Sequence, residues 1–98
     1  MHTEEMISAR DCFVHYEIEP SFLASLKDAG LIEITIINEE VFVPTAQLNR
    51  LEKMIRLYYE MDINVEGIET ITYLLQRMND MQQRIIKLSN QLKLYEEI

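Results

Sequence analysis

The sequence predicts a mainly α chain with a small β-hairpin in its middle and one long helix at its C-terminal end. Three observations carry this prediction. Two short helical segments with start and stop signals precede residue 31. β-branched residues alternate over 32–37. Apolar residues then recur at heptad spacing from Ile71 to Tyr95. At 98 residues the chain fits one structural unit, divided into a body at 1–61 and a long helix at 62–98.

Each element has a local cause. Ser8 is a helix N-cap for Ala9–Val14, with Asp11 near the positive end and Ile7 and Phe13 facing inward. The stretch 17–20, Glu-Ile-Glu-Pro, interrupts that helix. Pro20 starts a second one, because its missing N–H has no partner in a first turn anyway. Phe22, Leu23 and Leu26 form its apolar face, and Gly30 ends it where a positive φ costs little. Ile32, Ile34 and Ile36 alternate with Glu33, Thr35 and Ile37, which predicts a strand. Asn38–Glu40 turns, and Val41–Val43 returns. Two helices joined by a tight turn and followed by a hairpin give a winged helix-turn-helix outline.

Pro44 and Thr45 open a third helix, in which Leu48, Leu51, Ile55 and Tyr58 form one stripe and Met61 ends it. Asn64 then caps the last helix, with Glu66 in its first turn. Gly67 stands in that turn either for a close backbone approach or as a tolerated glycine costing about 1 kcal/mol against alanine. Ile71, Met78, Ile85 and Leu92 occupy a positions, and Leu74, Met81, Leu88 and Tyr95 occupy d positions. Eight apolar residues in four heptads make a coiled-coil seam. Its first half could pack on the body, with Leu75 widening the face. Roughly 30 residues of helix extend about 45 Å, so its last half outruns a body this small. A homodimer is expected to cover it.

The charge balance is acidic, with 17 acids, 9 bases and a formal net charge of −8. The imbalance lies in residues 1–46, where nine acids face only Arg10 and Lys27. Such a body repels phosphate and anionic membrane and attracts a basic partner. No apolar run approaches the length of a membrane span, and the opening residues Met-His-Thr-Glu-Glu-Met lack the basic start of a signal peptide. With Cys12 as the single cysteine, no internal disulfide can form, and a cytoplasmic location is expected.

The sequence offers little for catalysis. His2, Cys12 and His15 fall short of the four ligands a structural zinc site needs, and Cys12 suits a small core position. Two glycines cannot build a phosphate-binding loop. No nucleophile signature appears. No enzyme activity, metal or cofactor is therefore expected.

Two segments resemble the MerR superfamily of winged-helix regulators. Leu23–Ile32 matches its second helix ending in Gly-Leu, and Val41–Ile71 matches its post-wing helix and the loop leading to the dimer helix. Within that superfamily the chaperone-modulator CbpM family is the closer likeness. The residues that carry it are Met61 through Ile68, then Leu74 and Leu75, then Arg77–Ile85. The resemblance spans about residues 5–95. It departs from some members at Val65 and Glu66, where those have Trp or Pro.

A MerR-type regulator reads DNA with its second helix and wing, and typically places Arg and Tyr in that helix. Here Ala24 and Ser25 stand at about those places, Lys27 is offset by Asp28, and the wing tip carries Glu39 and Glu40. Nucleic acid is disfavoured. The CbpM resemblance implies a non-enzymatic modulator that binds and inhibits the J-domain of a DnaJ/CbpA-type co-chaperone. The expected contact is acidic: Glu17, Glu19, Asp28, Glu39 and Glu40. Two alternatives stand beside it, a MerR-type transcriptional regulator and a homodimeric module for another basic partner. A basic stripe from Arg50, Lys53 and Arg56 would favour the regulator.

Overall fold

The computed structural model describes residues 5–97. The elements run β1 (Met6–Ser8), α1 (Ala9–Tyr16), α2 (Pro20–Asp28), β2 (Thr35–Ile37), β3 (Glu40–Pro44), α3 (Leu48–Ile55) and α4 (Val65–Glu96). A 3₁₀ turn, Thr45–Gln47, leads into α3, and a π-helical turn, Arg56–Glu60, leads out of it.

The starts of the helices follow the local signals. Ser8 Oγ accepts a hydrogen bond from the Asp11 N–H at 3.1 Å, and Asn64 Oδ1 accepts one from the Gly67 N–H at 2.8 Å. Pro20 opens α2. Gly30, at φ 75°, lets the Leu31 N–H reach back to the Leu26 carbonyl at 2.9 Å and close α2. Helix α1 runs two residues past the expected Val14 and stops at Glu17, whose φ of 55° is left-handed.

The wing is larger than a hairpin. Three strands lie in the order β1-β3-β2, and both pairs are antiparallel. Strand β2 is shorter than the expected 32–37, and β1 is a third strand that the alternation does not predict. The β2–β3 turn has two residues, Asn38 and Glu39, both with positive φ (50° and 66°) between the paired Ile37 and Glu40. That is the primed turn whose twist suits adjacent strands.

Leu26, Leu51, Ile68, Val43 and Cys12 are the largest fully buried side chains, and Phe22, Leu23, Ile32 and Met54 pack around them. The core thus draws on both helices of the helix-turn-helix, on β3, on α3 and on the first turn of α4. The Met61 N–H reaches the Arg56 carbonyl at 3.2 Å and closes the π turn, which is tied to α2 by Tyr58 and Tyr59, both meeting Phe22 with ring centroids 4.4 and 5.4 Å away. Tyr59 Oη also accepts a hydrogen bond from the Glu19 N–H at 3.1 Å.

Gly67 stands in a close approach. A Cβ there would lie 2.7 Å from Ile63 Cγ2 and 3.1 Å from Asn64 Oδ1. Beyond the first turns, α4 has no cover among the described residues. Ile71 is half-buried, while the seven later seam residues, from Leu74 to Tyr95, are 51–77% exposed.

Candidate interaction groove

Helix α2 turns one face to the core and another to a groove. Phe22 and Leu26 point inward. Pro20, Leu23, Ala24, Lys27 and Asp28, spaced three and four apart, line one wall of a cavity of about 620 Å³. The first turn of α1 supplies Ser8 through Asp11, with Phe13 below. The wing supplies Ile34, Glu39, Glu40 and Val41. The floor is apolar and the rim is charged.

The wing's side of the groove follows from its register. Ile7 pairs with Val43, and Ile36 pairs with Val41, so these four share the face turned toward the helices. Val43 is fully buried and Val41 half-buried. Ile36, farther out along the hairpin, is 65% exposed. The apolar strip continues past the edge of the body.

The rim is net negative. Arg10 and Lys27 stand against Asp11, Asp28, Glu39 and Glu40. Lys27 Nζ lies 3.9 Å from Asp28 Oδ1, an exposed pair of little energetic weight, but one that further reduces the free positive charge of the wall. Of the five carboxylates expected to form a contact, the fold brings Asp28, Glu39 and Glu40 together. Glu17 caps the end of α1 and Glu19 the start of α2, and neither lines the groove. Arg50, Lys53 and Arg56 lie exposed on and just after α3, and none of them lines the groove.

The groove floor is not foreseen from the sequence, which assigns Phe13 and Leu23 to the core. The one available signal is Ala24, a small residue between Leu23 and Lys27 on the outer face of α2. Ordinary burial explains the remaining chemically active side chains. Cys12 is fully buried, and that burial raises its thiol pKa. Tyr16 Oη donates to Glu52 Oε1 at 2.9 Å. Burial first, and then this bond to a carboxylate, push its pKa up to about 12. His15 packs edge-on against Tyr16, and His2 lies outside the described residues. Among the described residues no three His, Cys, Asp or Glu side chains are placed to share a metal ion. No helix among them is long and apolar enough to cross a membrane.

Short helices, a three-stranded wing and a long terminal helix are the architecture of a known family. Its model, MerR HTH family regulatory protein, matches residues 7–90. The chain belongs to the MerR HTH family. Comparison with curated proteins and with solved structures gives no match. The groove lies between α2 and the wing, the two parts that define the winged helix-turn-helix outline. It carries four carboxylates over an apolar floor.

Proposed function

We propose that this MerR-type chain is a non-enzymatic, cytoplasmic adaptor that binds the J-domain of a DnaJ-type co-chaperone and keeps it from its Hsp70. The observation that carries this is the character of the α2–wing groove. Two bases against four acids make it a poor partner for phosphate, whose binding depends on Lys and Arg displacing its condensed counterions into solution. Acidic rims suit a basic protein surface, and speed its approach at low salt. A J-domain carries its Hsp70-binding determinants on a basic helix, so occupying that helix would block Hsp70 docking.

We further propose that the adaptor is a homodimer joined along α4 through Ile71, Leu74, Met78, Met81, Ile85, Leu88, Leu92 and Tyr95. The support is their heptad spacing and the exposure of seven of them in the single chain.

Titration calorimetry with the J-domain at two salt concentrations tests the function. The expected result is saturable binding that weakens with salt and is lost on E39K/E40K. Absence of binding at low salt by the folded protein would refute it. Membership of a family of regulatory proteins and the exposed Arg50, Lys53 and Arg56 favour a second function, DNA-binding regulation. A sequence-selected duplex bound by wild type and lost on R50E/K53E would establish that instead.

A further inference from the structure

We infer that the groove recognises a basic amphipathic helix, seating a bulky apolar side chain over Ala24 between α2 and the wing. This rests on the protein-binding function proposed above and specifies the element that is recognised.

The shape is the first reason. Pro20, Leu23 and Lys27 surround Ala24 on α2, so the smallest side chain of that wall sits at its middle. The cavity, about 620 Å³, falls within the roughly 300–1,000 Å³ typical of sites that enclose drug-sized groups. That suits the anchor side chains of one helix face, spaced i, i+3/i+4 and i+7. Most of the lining comes from α1 and α2, so an occupant seated there meets side chains of two helices first.

Ile36 is the second reason. It does not line the cavity itself, but its register opposite Val41 puts it on the same sheet face as that lining residue, and it is 65% exposed. An aliphatic side chain there matches the apolar stripe of an incoming helix.

Charge is the third. Glu39 and Glu40 at the wing tip and Asp28 at the end of α2 flank the apolar floor on two sides. A helix with Lys or Arg beside its apolar stripe meets both features together. An acidic or uncharged helix would match only the floor.

The test is an NMR titration of the full chain with two synthetic peptides of about 14 residues, near the length at which isolated helices become marginal. One has a leucine face flanked by lysines, and its twin has glutamates in their place. The expected result is saturable shifts for the lysine peptide at Ala24, Lys27, Ile36 and Glu39, and none for its twin. Ala24 and Ile36 are exposed, so A24W and I36K should fold, and each should weaken binding by about tenfold. Shifts confined to α4, equal binding of both peptides, no binding of either, or unchanged affinity in A24W would each overturn the inference. The J-domain is titrated in parallel. Peptide binding without J-domain binding removes the chaperone function and keeps the groove. J-domain binding with a footprint outside the groove does the reverse.

Discussion

Gly67→Ala should destabilise the protein, although alanine is the better helix former. The gain from added helix propensity is at most about 1 kcal/mol, and smaller in a first turn. Against it, the new Cβ would stand 2.7 Å from Ile63 Cγ2, about 0.7 Å inside the 3.4 Å where ordinary contact begins. Cγ2 sits on a branched Cβ, so it moves only by turning χ1 or shifting backbone. The Ile63 N–H is held by the Leu57 carbonyl at 3.0 Å, and its side chain packs on the core. Overpacking of this kind costs about 1–3 kcal/mol. The same methyl crowds Asn64 Oδ1 at 3.1 Å and disturbs a cap worth about 1 kcal/mol. The net expectation is a loss of about 1–2 kcal/mol. Urea unfolding at fixed protomer concentration measures it, since any association would make stability concentration-dependent. Ile63→Leu removes the offending methyl. In that background Gly67→Ala should be neutral or stabilising. If Gly67→Ala stabilises the wild type, position 67 is only a tolerated glycine and the close approach has no energetic consequence.

Three further outcomes are expected. Glu39→Gly should raise stability by about 1 kcal/mol, because it relieves a left-handed φ of 66°, while weakening binding of a basic partner; thermal melts and calorimetry read the two effects separately. M81E/L88E should convert a dimer into a monomer in light scattering without unfolding the body, and a wild type that is monomeric at all concentrations would remove the dimer. Tyr16 has a folded pKa of about 12 against an ordinary 10, so its contribution is complete below pH 10 and is lost as pH rises through 12. Tyr16→Phe should flatten that alkaline decline and cost about 1 kcal/mol at neutral pH, because Glu52 loses a donor.

The features legible in the sequence are those that neighbouring residues decide. Ser8, Pro20, Gly30 and Asn64 act on backbone groups within a few residues, and each does so here. Strand β1 has three residues and no pattern of its own. It exists because Ile7 meets Val43, far along the chain. The π turn is equally silent, since Leu48, Leu51, Ile55 and Tyr58 fit an uninterrupted α stripe. Acidic residues can be counted by chain half, but a charge count has no geometry. The fold gathers Asp28, Glu39 and Glu40 and leaves Glu17 and Glu19 in the α1–α2 turn. Ile36 belongs to an inward-facing alternation that is correct in phase. The hairpin simply extends farther than the body beneath it.

The turn at Arg56–Glu60 has a consequence for how two copies would be arranged. A π turn holds one residue more than the α turn it replaces. Deleting a single residue there would let it close as an α turn and would change how Tyr58 and Tyr59 meet Phe22. Asp62, at φ 55°, and the Asn64 cap pass that setting on to α4, whose 32 residues make a lever about 48 Å long. A tilt of about 10° at its root displaces its far end by about 8 Å, as that length implies. In the proposed dimer the seam would choose the partner helix and the root of α4 would aim it, so the spacing of the two grooves would follow from the packing beneath the tyrosines.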